Sequence, residues 1–423
     1  MNDERLIDEM VRRLGRELKD ILGRVQRGKI PASAIEQVVR EELWHAGGQA
    51  VGVMLEALDR QLVQGRTVHD YRTRTIVSLF GPLDVSRARC EAGQRRYCPL
   101  DEAMGLSGHR GWTAAVQEVV SLLSCESAFE TVTDLMGRLL GLSISAPTVQ
   151  ELAERAGRCA EALLSQPSVR PDAPDTLIVA ADGCQAPQRD GWHEVKVATL
   201  YAGESRCSTD SGRGKVLSKE YYATLDNSQI FGEALWRRAC GWRVEQARRV
   251  VVMGDGAPWI WNLAELHFPG AIEIVDFYHA VEHLWDLGEG LWGDRHTSQA
   301  TRSWVRRYRR RLKEGRVDLV LLAGERSGQQ VSEKLSAERR KVVRQNMEYF
   351  RRNGSRMRYG RFRQMKLPIG TGMVEGACKH VVQSRFKRPG ARWSRSGLES
   401  MLALKLARLN DRWEALWPHL TAA

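Results

Sequence analysis

Apolar side chains recur at helical spacing from the start of the chain. Leu6, Met10, Val11, Leu14, Leu18, Ile21, Leu22 and Val25 mark an amphipathic helix over residues 3–26. Pro31-Ala32-Ser33 opens a second helix, with Ser33 and Glu36 spaced as a capping box. Ile35, Val38, Val39, Leu43, Val53, Leu58 and Leu62 continue it, and Gly47-Gly48 predicts a break. The stretch from Ile76 to Arg89 then reads as a β-hairpin turning at Gly81-Pro82. Residues 127–156 return to helical spacing in two runs, with Gly141 suited to end the first and Ser145 with Thr148 to start the second. That is the spacing of a helix-turn-helix, which plain αα-hairpins share. A proline-rich stretch from Gln166 to Pro174 predicts a linker.

Beyond the linker the pattern changes. Thr176–Ala181 and Val250–Met253 are unbroken apolar runs, as expected of parallel strands buried on both faces. Each delivers an aspartate followed by glycine, Asp182-Gly183 and Asp255-Gly256. Between them lie two further strand patterns, Glu194–Tyr201 and Lys219–Leu225, and a helix over Ser228–Ala247. After Asp255 come a helix carrying Trp259, Ile260, Leu263 and Leu266, and a strand, Ile272–Val275. That strand ends at Asp276, with His279 three residues on. Three strands, helix, strand, helix, strand, with acids after the first and fourth strands, is an RNase H-like plan of α/β class. In it those two strands lie side by side and their acids converge. A third acid, Glu375, lies in the first turn of a helix after the break at 367–372, with Lys379 on the same face. The acids are spaced by 73 and 120 residues, and the gap from 285 to 366 reads as a helical insertion.

The predicted organisation is a helical region over 1–65, suited to oligomerisation, and a β-hairpin with helix-turn-helix for DNA over 66–165. The core begins at 174–284, is interrupted by the helical insertion at 285–366, and is completed by 367–423 with its basic helices.

Lys and Arg number 64 against 52 Asp and Glu, a net charge of +12, which favours a polyanionic partner. Nucleic acid ranks ahead of a membrane, because no stretch approaches the roughly 20 apolar residues of a spanning helix. The polar start, MNDERLIDEMVRRLG, is unlike a signal peptide, and eight scattered cysteines without a CxxC pair read as reduced thiols. Cys90 and Cys98 alone make a poor zinc ribbon. Three basic runs with interleaved aromatics bracket the third acid. Arg306, Arg307 and Arg310 represent the first, and Arg356, Arg358 and Arg361 the second. Arg385, Lys387, Arg388 and Arg392 form the third, with Trp393 suited to stack on a base.

Several stretches carry a family resemblance: VAADG at 179–183, VMGDGAPWIWNLAELHFPGAIEIVDFYHAVEHLW at 252–285, RMRY with LPIGTGMVEGACKHVV within 356–382, and RWSRSGLESMLALKLARLNDRWEALW at 392–417. They resemble the DDE transposases of bacterial insertion sequences of the ISKra group, relatives of the Mutator-like superfamily. The resemblance implies that Asp182, Asp255 and Glu375 are the catalytic, metal-binding triad, and that Asp276 and His279 form the D-x-x-H element of Mutator-like enzymes. It implies cleavage at the element's ends and joining of the 3′-hydroxyl to target DNA. The implied partners are terminal inverted repeats, target DNA and further copies of the chain in a dimer or larger synaptic assembly. The implied location is the bacterial cytoplasm, at the nucleoid when DNA is bound. Many relatives carry a cysteine-paired knuckle where this chain has only Cys90 and Cys98. The chemistry agrees, since two Mg²⁺ or Mn²⁺ ions clamp the attacking and leaving oxygens of a phosphodiester and carboxylates are their hard ligands. Asp182 would then bridge both ions, with Asp255 and Glu375 each completing one shell.

Two rivals remain. His279-Ala280-Val281-Glu282-His283 matches H-x-x-E-H, the inverted zinc-metallopeptidase motif, with Glu282 as base and Glu375 as third ligand. The other is a catalytically silent DNA-binding regulator descended from a transposase.

Overall fold

The computed structural model describes residues 3–93, 95–106, 111–208, 214–331 and 335–422. They form two compact units, Met1–Leu163 with Asp411–Ala423, and Leu164–Asn410.

In the first unit, helices Asp3–Gln26 and Ile35–Leu62 precede a long hairpin, Val68–Ser78 with Gly81–Ala92. The second helix runs through Gly47-Gly48 without the expected break. A Cβ on Gly47 would stand 2.6 Å from the Phe80 ring, so this glycine lets the hairpin approach the helix. The hairpin turns at Leu79-Phe80 instead of Gly81-Pro82, since Ser78 pairs with Gly81 and Val77 with Pro82. Helix Phe129–Leu140 ends at Gly141, which is left-handed at φ 65°, and helix Ala146–Ser165 follows. Val116, Val132, Met136, Leu142 and Val149 share their core. The C-terminal helix, Trp413–Ala422, was expected with the catalytic core but packs in this unit, where Trp413 Nε1 donates to Glu118 at 3.1 Å.

The second unit is built on five strands: β1 (Thr176–Gln188), β2 (Gly191–Ala202), β3 (Lys219–Thr224), β4 (Arg249–Gly254) and β5 (Ile272–Val275). Their order in the sheet is β5-β4-β1-β2-β3. β1, β2 and β3 form an antiparallel meander, while β4 and β5 add in parallel on the other side of β1. Uninterrupted burial from Thr176 to Ala181 and from Val251 to Gly254 reflects central strands covered on both faces. The edge strand β3 is closed by Asn410, whose amide exchanges two 2.8 Å bonds with the Tyr221 backbone.

Helices Phe277–Trp292, Gln299–Lys313, Val317–Val331 and Ala337–Asn353 occupy most of the interval read as a helical insertion. Glycines allow their close packing: a Cβ on Gly288 would lie 2.9 Å from Val305, and one on Gly324 would overlap Met347.

Candidate active site

The register of three parallel strands brings the three aspartates to one level. β1 does not end at Ala181 as expected but runs on to Gln188, so Asp182 lies within the strand, paired with Val197 of β2. Arg249 pairs with Thr176 and Met253 with Ala180, so continuing the same register sets Asp255 beside Asp182. The 73-residue spacing of these acids is the offset between their strands. Gly254 pairs with Val275, which puts Asp276 beside Asp255. Three adjacent strands therefore present three aspartates at one edge.

Their environments differ. Asp182 Oδ1 accepts from Gly183 N at 2.7 Å, and Oδ2 lies 3.5 Å from the Cys378 thiol. Burial pushes its carboxyl up to about 6, with the Asp255 charge adding to the rise and the Gly183 and Cys378 bonds and nearby His279 opposing it. Asp255 Oδ1 accepts from Ala257 N at 2.8 Å, and its carbonyl accepts from the Tyr349 hydroxyl at 2.8 Å. Gly256 has φ +107°, and a Cβ there would sit 2.6 Å from the Tyr349 ring, so only glycine fits. Burial raises the Tyr349 phenol well above its usual range, and the Asp255 and Asp276 charges raise it further.

Asp276 is 1% exposed and fully engaged. Oδ1 accepts from His279 N at 2.7 Å, capping helix Phe277–Trp292. Oδ2 accepts from the Thr371 hydroxyl at 2.7 Å and from the Thr371 amide. This acid pins the segment leading into the Glu375 helix, Gly372–Ala377, to the end of β5. Glu375 is exposed, 3.3 Å from the Thr371 hydroxyl. A threonine has one hydroxyl proton, and the shorter bond assigns it to Asp276, leaving Glu375 without that donor. One turn on, Cys378 opens a π-helical stretch, Cys378–Gln383, a distortion frequent at functional sites. The Cys378 thiol is held far above its ordinary range by contact with Cys184, by burial and by the Asp182 charge. Lys379 is exposed.

Among the described residues no group of three or more His, Cys, Asp or Glu is disposed to hold a metal ion. Asp182, Asp255 and Glu375 all offer the carboxylate oxygens that a hard divalent cation takes. The register brings the first two side by side, whereas Glu375 meets Thr371 and neither aspartate among the described contacts. The H-x-x-E-H histidines are otherwise engaged. His283 stacks on Tyr349 at 3.6 Å and its Nδ1 meets Asn346 Oδ1 at 2.7 Å, while His279 Nδ1 lies 3.4 Å from Glu282.

The basic candidates divide in two. Arg306, Arg307, Arg310, Arg358, Arg361, Lys387 and Arg392 are exposed. Arg356 and Arg388 are half-buried, and Arg356 is paired with Glu273. Arg385 is buried, its guanidinium 4.8 Å from the centre of the Trp393 ring. Trp393 is 7% exposed, with Nε1 donating to the Phe386 carbonyl at 3.3 Å. Its backbone pairs with Pro187 and Arg189 around the β1–β2 turn, so this indole is interior and not the base-stacking surface expected. Trp192, at the start of β2 and 63% exposed, is the open indole nearby, 5.5 Å from Lys387. Sequence reasoning also missed Thr371, Tyr349 and Cys378. The glycines flanking Thr371 were a signal; Tyr349 offered none.

No helix of the described residues is long and apolar enough to cross a membrane. A UPF0236 protein in the vanSb 3′ region of Streptococcus gallolyticus is 23% identical over 408 residues, covering 94% of this chain and 87% of that protein. Among solved structures, the Drosophila P element transposase strand transfer complex aligns at 9% identity and a TM-score of 0.24, over 72% of this chain and 83% of that one. The model of the family described as "Uncharacterised protein family (UPF0236)" matches residues 32–415, and the chain belongs to that family.

Proposed function

We propose that this protein is a DDE-type DNA transposase, related to those of ISKra-group insertion sequences, that cleaves the ends of its element and joins the 3′-hydroxyl to target DNA. The observation that carries this reading is the parallel register of β1 and β4, which sets Asp182 and Asp255 side by side. The sheet order β5-β4-β1-β2-β3 supports an RNase H-like core, in which the first and fourth strands are neighbours.

In this reading Asp182, Asp255 and Glu375 hold two Mg²⁺ or Mn²⁺ ions. When bound, these supply Lewis-acid stabilisation to the attacking and leaving oxygens. The chain's own residues set the frame. Asp276 fixes the entry to the Glu375 helix through Thr371, and Tyr349 holds the Asp255 loop by its carbonyl. His279, on the helix that Asp276 caps, places an imidazole within electrostatic reach of Asp182. Exposed arginines of the helix Gln299–Lys313 supply phosphate contacts that weaken with salt.

The test is strand cleavage and joining by the purified protein on duplex DNA carrying the sequence that flanks its gene. Cleavage at discrete ends with Mg²⁺ or Mn²⁺, lost in Asp255→Ala, is the expected result. Tight binding without cleavage under any metal would identify a DNA-binding regulator. Neither activity, together with stoichiometric zinc, would replace this reading with the peptidase.

A further inference from the structure

At the beginning of β5, away from the carboxylate level at its end, the chain forms a cavity of about 330 Å³. Ile272, Glu273, Arg356, Arg358, Arg361 and Phe362 line it, three guanidinium groups against one carboxylate. Arg356 is held on two sides, paired with Glu273 and 4.6 Å over the Trp261 ring. A guanidinium locked in this way has already lost the rotamer freedom that a ligand would otherwise have to freeze. Arg358 and Arg361 are exposed, and among the described residues neither has an ion-pair partner. One anchored and two open guanidiniums around a concavity form a donor set matched to the tetrahedral oxygens of a phosphate.

We propose that this cavity is a phosphate site for the backbone of a DNA strand, separate from the carboxylate edge. It rests on the reading of the protein as DNA-binding. Ile272 and Asp276 are four residues apart on an extended strand, about 13 Å at roughly 3.3 Å per residue. A duplex carries one phosphate per strand about every 3.4 Å of axis, so DNA lying along β5 would reach the cavity about four steps from the acids.

The test measures binding of the full chain to a labelled duplex by fluorescence anisotropy, in EDTA, across 50–200 mM KCl. The double variant Arg358→Ala/Arg361→Ala is expected to bind about tenfold more weakly at 150 mM, with the slope of log affinity against log salt reduced by about 1 to 2. The loss should be the same on two unrelated sequences, because phosphates carry no base information. Arg12→Ala/Arg13→Ala removes equal charge from exposed positions on helix Asp3–Gln26 and should leave affinity within about twofold. Equal losses in both double variants, an unchanged slope in the first, or no duplex binding by the wild type would overturn the proposal. Because binding is read without metal, its outcome separates from cleavage. A changed slope without cleavage removes the transposase reading and keeps the cavity, whereas cleavage with an unchanged slope removes only the cavity.

Discussion

β4 and β5 run side by side, and each hands the chain an aspartate at the same level, yet the two carboxylates are used in opposite ways. Asp276 is buried and accepts from a capped helix amide, a threonine amide and a threonine hydroxyl. Asp255 is part-exposed and accepts from Ala257 N alone through Oδ1, leaving Oδ2 without a donor among the described contacts. Asp182 lies between these extremes, with one backbone amide on Oδ1 and only a thiol, at 3.5 Å, on Oδ2, and burial followed by the Asp255 charge raises its cost of ionisation. A carboxylate whose oxygens are all taken by strong donors builds scaffold, whereas one with an oxygen left open keeps capacity for a further partner.

The sharpest way to break this contrast is to exchange the losses. Asp255→Ala should reduce DNA cleavage by about 10³-fold or more, beyond the roughly 10–100-fold of an outer-shell partner, while costing only about 1 kcal/mol of stability for the lost bond to Ala257 N. Asp276→Ala should do the reverse first, destabilising the fold by about 3 kcal/mol in denaturant unfolding because it leaves buried donors on Thr371 and His279 unmatched.

A pH experiment sharpens the comparison. The Asp182 carboxyl is raised to about 6 in the fold, so between about pH 4 and 6 the native state holds more protons than the unfolded chain, and this group's contribution to stability falls as pH rises. Without metal, Asp182→Asn should therefore be more stable than wild type at pH 7 by about 2–3 kcal/mol, and the gap should close toward pH 4. Saturating Mg²⁺ should remove the gap at pH 7.

Two smaller effects probe the Asp255 loop. Gly256→Ala should cost about 2 kcal/mol, because φ is +107° and the new Cβ meets the Tyr349 ring. Tyr349→Phe removes one bond to the Asp255 carbonyl and should cost about 1 kcal/mol, with a modest fall in cleavage rate.

The strands and the positions of Asp182 and Asp255 were legible from local signals, apolar runs and a spacing that the register reproduces, but an aspartate-glycine pair ends only β4, since β1 continues past Asp182-Gly183 to Gln188. That Asp276 caps the helix after it was legible from its place, but its hold on Thr371 was not, since that partner lies 95 residues away. Trp393 misled for a related reason. Within a basic run an indole reads as a surface platform, but here backbone pairing with the β1–β2 turn draws it inside. Gly47-Gly48 read as a break because a glycine pair lowers helix propensity, yet tertiary contact with Phe80 makes the small residue an advantage there. Residues 411–417 continue a matching motif in sequence, but Trp413 finds its hydrogen-bond partner in the first unit.

The most direct test of the central claim is a Mn²⁺ titration followed by electron paramagnetic resonance, with duplex DNA present, on wild type and on Asp255→Ala, Glu375→Ala and Asp276→Asn. If Asp182, Asp255 and Glu375 form one metal-holding set, wild type binds two ions, the first two variants lose tight binding, and folded Asp276→Asn retains it. Unchanged Mn²⁺ binding in Asp255→Ala and Glu375→Ala would contradict the account.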